Sequence, residues 1–145
     1  MSTPVESANL ILKLYELRRE PVMREARNTF ITFDPQSADD YIKAMMGPQS
    51  AHIRMVTSYW EMACSLVVNG AIDPKMFEDS AGEHLVVFGK IEGILPELRE
   101  KIGNPHAFSN LEQVCTTAPG GVERIRAMVQ RIRGMMAQRS SASAT

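Results

Sequence analysis

The sequence predicts an all-α fold: a single-domain bundle of five to seven helices around a central apolar helix at about 49–69. Three observations carry that expectation. Apolar residues recur at spacings of three and four along most of the chain, and no segment shows convincing strand alternation. Helix-start signatures precede these stretches, and Gly or Pro ends them. The 145 residues are 44% hydrophobic and 23% charged, with a mean hydropathy of −0.16, which suits a globular domain with its own core and excludes disordered and fibrous classes.

From the N-terminus, Thr3-Pro4-Val5-Glu6 reads as a capping box with Pro at the first helical position, and Leu10, Leu14 and Leu17 continue at helical spacing. Pro21 disfavours helical backbone at Glu20, so a break falls there. A second helix to about Phe33 places Val22, Ala26, Phe30 and Phe33 on one face. Asp34-Pro35 turns, and Ser37 to Asp40 opens a short helix that Gly47-Pro48 ends. The next helix, about Gln49 to Asn69, carries Ile53, Val56, Trp60, Ala63 and Val67 as one stripe, with Met55, Tyr59, Met62 and Leu66 beside it. Helices apolar on most sides are surrounded by others, which places this one at the centre.

Asn69-Gly70 closes that helix, and Asp73-Pro74 opens a short one. Ser80 to Glu83 opens a long helix to about Ile102, bent at Pro96, with Leu85, Phe88, Ile91, Leu95, Leu98 and Ile102 buried. Gly89 and Gly93, four apart, leave one face bare for a close neighbour. Ser109 to Glu112 caps a helix to about Thr117, and a final helix covers about Val122 to Gln138. One domain spans 1–139, and Ser/Ala-rich residues 140–145 read as a disordered tail.

The net charge is −1, which argues against a whole-surface nucleic-acid binder. Its distribution is uneven: residues 1–119 sum to −5 and residues 120–145 to +4. Cys64 and Cys115, without Cys-x-x-Cys spacing, read as reduced, packed thiols in a reducing compartment. The N-terminus lacks the basic and apolar regions of a signal peptide, and no apolar run reaches the ~20 residues a transmembrane helix needs. The expected setting is soluble and cytoplasmic.

Leu14-Tyr15, Arg24-Glu-Ala-Arg27, Tyr59-Trp60-Glu61, Leu66-Val-Val-Asn-Gly70-Ala-Ile72-Asp73, Phe77 and Leu95-Pro-Glu-Leu-Arg99-Glu form a pattern over residues 8–105. In it the chain resembles an uncharacterised bacterial family of helical proteins, catalogued as a domain of unknown function. Many members look membrane-tethered by an N-terminal helix that this sequence lacks. The resemblance implies the helical fold and no particular activity.

Two sets of residues are candidates for function. Glu61 stands on the polar strip of the central helix, with Arg54 two turns before it. Together with Tyr59 and Arg99 it defines a candidate polar site for a small ligand or for acid–base work; the plainer alternative is a helix-to-helix ion pair with Arg24, Arg27, Arg54 or Arg99. Trp60 reads as core. His52, His84 and His106 do not cluster with one another or with Cys, and no phosphate loop is present, so neither a metal nor a cofactor is expected.

The last helix carries the second set. Val122, Ile125, Val129, Ile132 and Met136 form a heptad-like seam, flanked by Arg124, Arg126, Arg131 and Arg133. The seam packs on its own domain, with the arginines meeting acidic helices, or pairs with another chain, or meets a polyanion. The leading functional expectation is a protein-interaction or self-association module without catalysis. Polyanion binding through the arginines, and a ligand cleft near Glu61, are the alternatives.

Overall fold

The computed structural model describes residues 2–144, with side chains through residue 143. In chain order the helices are α1 (Pro4–Arg18), α2 (Pro21–Thr32), α3 (Ala38–Met45), α4 (Ser50–Val68), α5 (Pro74–Ser80), α6 (Glu83–Ile91), α7 (Leu95–Ile102), α8 (Ser109–Thr117) and α9 (Gly121–Ala144). No strand occurs among the described residues. The all-α class stands, and the count of nine helices among the described residues corrects the expected five to seven.

One of the additional helices has a local cause at α6 and α7, expected as one bent helix. Pro96 cannot donate to Glu92, and Leu95 before it is disfavoured in helical backbone. The ladder therefore stops at Ile91 and restarts with Leu98 N–H donating to the Ile94 carbonyl at 2.9 Å. At Thr3, Ser37 and Asp73 the caps act as the sequence implies, whereas Ser80 ends α5 and α6 starts after Gly82 with no side-chain cap bond. Thr3 and Glu6 form the reciprocal capping box of α1. Ser37 accepts from Asp40 N–H and Asp73 from Met76 N–H. Gly70, at φ 81°, lets the chain leave α4 in left-handed backbone.

The core forms around α4, whose Ile53, Val56, Thr57, Trp60, Ala63, Cys64 and Val67 are buried. The Thr57 hydroxyl donates to the Ile53 carbonyl, so even the buried polar group is satisfied. Helices α2 and α8 pack against it most extensively, and α3 and α6 also contact it. In α2 the buried face is Met23, Ala26 and Phe30, while Val22 is exposed. Met23 lies nearer the mean direction of Ala26 and Phe30 at 100° per residue, so the spacing that suggested Val22 pointed one residue off.

Helix α9 lies across α6 and α8. Ile125 and Val129 are buried there against Gly89, where a Cβ would sit 2.7 Å from Ile125 Cγ2 and closer still to Val129 Cγ2. The close approach expected at Gly89 is therefore made. At Gly93 no neighbour approaches within 4 Å of the corresponding position. Helix α9 runs past the expected end at Gln138 to Ala144, so residues 140–144 of the expected tail are helical, and residue 145 lies outside the described residues.

Candidate binding groove

Helix α3 ends at Met45 and turns at Gly47 into α4, and α7 packs alongside α3. Between them opens a groove of about 710 Å³, within the size range of ligand pockets. One wall is apolar: Tyr41, Ile42 and Met45 from α3 with Met46 just past its end, and Leu98 and Ile102 from α7. Met46 is 85% exposed and Ile102 49%, although Ile102 was expected in the core. The other wall is the polar strip of α4: Arg54, Ser58 and Glu61.

The segment leading into α8 closes one end, and Phe108 stands there in left-handed backbone, φ 59°. For a residue with a Cβ that conformation costs on the order of 1 kcal/mol. It is held by the ring's edge-on contact with Tyr41, 6.4 Å between centroids, and by backbone hydrogen bonds at the start of α8. The Asn110 N–H donates to Glu61 Oε1 at 2.8 Å, and the Leu111 N–H to Oε2 at 3.2 Å. Glu61 therefore caps α8 from across the fold. Ser109, the expected cap, is the first residue of α8 and makes no side-chain cap bond. A carboxylate at a helix N-terminus satisfies orphaned donors and meets the positive end of the dipole.

The four residues of the expected polar site do not converge. Arg54 and Glu61 share the groove wall. Tyr59 projects to the other side of α4, where its hydroxyl donates to the Leu14 carbonyl. Burial, above all, pushes its pKa up to about 12. Arg99 is held by the Ala107 carbonyl at 2.9 Å and by Glu112 at 3.0 Å. The Arg54 guanidinium has no partner among the described residues.

The α9 residues divide as well. Val129 is buried, and Ile132 and Met136 are half-buried. Arg124 meets Glu78 at 3.1 Å, Arg126 meets Glu92 at 2.7 Å, and Arg133 clamps Asp34 with bonds of 3.0 and 2.8 Å. Arg131 is exposed and unpaired among the described residues. The reading in which the seam packs on its own domain is the one the geometry fits.

Three polar features, one half-buried and two buried, had little sequence signal. Glu83 accepts from both Arg27 and the Trp60 indole. Lys90 donates to the Phe30 and Ile31 carbonyls at the end of α2, both at 2.8 Å; burial, first of all, lowers its pKa to about 8. His84 is fully buried with neither ring nitrogen bonded. Lys90, a charge inside the apolar run Leu85 to Ile91, was the one readable hint. Cys64 and Cys115 are buried free thiols, and burial pushes the Cys64 pKa up to about 12. Among the described residues no group of three His, Cys, Asp or Glu could hold a metal ion.

Fold and groove together define a small all-helical domain with an open apolar trough on its surface. Among the described residues no helix is long and apolar enough to cross a membrane. Residues 3–117 match the model of the family described as Domain of unknown function (DUF4760), and the chain belongs to that family. The match ends at Thr117, so α9 lies outside it. No curated protein and no solved structure matches the chain.

Proposed function

We propose that this chain is a protein-interaction module, and that an amphipathic helix of a partner protein docks in the α3–α4–α7 groove. The observation that carries the reading is the open apolar wall, with Met46 85% and Ile102 49% exposed beside a trough of about 710 Å³. Helix-in-groove docking uses such troughs, and methionine suits surfaces that adapt to a guest. No catalytic step belongs to the reading, because Glu61 is committed to α8. The buried free cysteines support a reducing, cytoplasmic setting.

A photo-crosslinking residue in place of Ile102 tests it in cells. Crosslinks should map to one amphipathic segment and vanish with Met46→Glu. A synthetic peptide of that segment should bind the purified chain at micromolar Kd. Scattered crosslinks, or peptide binding indifferent to Met46→Glu, would overturn the reading.

A second reading, self-association, has its own observation. Beyond Arg133 the seam ends in half-buried Met136, with Met135, 58% exposed, along its edge. Sedimentation velocity should then show a concentration-dependent dimer that Met135→Glu removes. Polyanion binding gains least support, since three of its four arginines are engaged with the body.

A further inference from the structure

We infer that the groove selects an acidic guest: the docking helix carries a carboxylate at the edge of its apolar face, set against Arg54. The inference rests on the docking reading above and adds the partner's charge to it.

The basis is the charge left over at the groove. Glu61 has both oxygens engaged by the first N–H groups of α8, so part of its negative charge is offset by that helix end. Neighbouring cations are similarly taken: Lys101 by Asp39 at 2.7 Å and by Glu97 at 3.5 Å, Arg99 by Glu112. Among the described residues, Arg54 alone on the lining is an unbalanced full charge. It stands seven residues, roughly 10 Å along the helix axis, from Glu61.

This placement also orients the guest. Its apolar face meets Met45, Met46 and Ile102, and one polar edge runs along Arg54 and Ser58. An acidic side chain there forms a bidentate pair with the guanidinium; a basic one meets uncompensated like charge. Charge thus excludes wrong guests more than it strengthens the right one.

The test is selection from a displayed library of helical peptides against the full chain, its Arg54→Glu variant and its Met46→Glu/Ile102→Glu variant. Arg54 is exposed, so its replacement leaves the fold intact. The wild-type chain should enrich peptides with Asp or Glu beside an apolar stripe, and Arg54→Glu should enrich Lys or Arg at that position. A selected acidic peptide should lose about three- to fivefold in affinity against Arg54→Gln, the size of an exposed ion pair. Removing the peptide's own acid should then cost nothing further. Identical enrichment with wild type and Arg54→Glu overturns the inference while leaving the docking reading standing. Enrichment that survives Met46→Glu/Ile102→Glu overturns both.

Discussion

The Arg27 guanidinium and the Glu83 carboxylate are locked together, with Nε at 3.1 and 2.9 Å from the two oxygens and Nη2 at 2.8 Å from Oε2. The Trp60 indole N–H donates to the same carboxylate at 3.0 Å. One acidic side chain therefore ties α2, α4 and α6. The hydrogen bond to Glu83 raises the Arg27 pKa despite partial burial.

Removing one partner of such a pair strands the other in a poorly solvated place. Glu83→Ala should destabilise the chain by about 3 kcal/mol, leaving Arg27 and the indole unpaired. Glu83→Gln should cost less, because its amide oxygen still accepts from Trp60. Urea unfolding followed by fluorescence of Trp60, the one tryptophan, measures both through the midpoint. Equal costs for the two variants would show that the retained hydrogen bond contributes nothing once the charge is gone.

Gly89 is the seat of α9. An alanine there would place its Cβ 2.7 Å from Ile125 Cγ2 and nearer to Val129 Cγ2. Both neighbours are β-branched and stiff at χ1, so the helix must shift. Gly89→Ala should cost about 1–3 kcal/mol from overpacking, against the ~1 kcal/mol it gains in helix propensity. Adding Val129→Ala should recover part of the loss, as a double-mutant cycle reads. Gly134→Ala, on an open part of α9, should stabilise by up to about 1 kcal/mol.

What the sequence made legible was local. Thr3, Ser37, Asp73 and Gly70 mark helix boundaries through bonds to residues three or four away, and the stripe of α4 carries its own periodicity. What stayed hidden depends on partners distant in the chain. Glu61 caps a helix almost fifty residues further on, and no spacing rule encodes that. Trp60 and Glu83 meet only because α4 and α6 cross. Ile102 shares the stripe of Leu95 and Leu98, which are buried, yet it is the last residue of α7 and lies on the groove, past the packed part of that stripe.

Glu61 can be tested as a cap. Glu61→Ala uncovers the Asn110 and Leu111 N–H groups at the start of α8, and losing a cap costs about 1–2 kcal/mol. Hydrogen exchange at those two amides should accelerate, while amides in α1, far from the change, keep their rates. Glu61→Gln, which retains one acceptor oxygen, should give an intermediate effect. Unchanged exchange in Glu61→Ala would mean that water replaces the carboxylate at no cost.

His84 should make the fold acid-sensitive. Its ring lies 4.8 Å from Phe77 and 5.6 Å from Trp60, centroid to centroid, with both nitrogens unbonded. Burial, and then the charge of Arg124, lower its pKa to about 4, against about 6.5 in an unfolded chain. Between these values the unfolded state takes up a proton that the folded state refuses. His84 therefore leaves stability untouched above pH 6.5, erodes it as pH falls toward 4, and adds no further loss below that. The full erosion is about 3 kcal/mol. His84→Leu removes both the titration and the orphaned N–H, so at pH 7 it should be neutral or mildly stabilising. Urea unfolding of both proteins at pH 7 and pH 4.5 isolates the effect, since every other group titrates in both. The gap between variant and wild type should widen by about 2–3 kcal/mol on acidification; a constant gap would mean that the buried ring finds a partner for its proton.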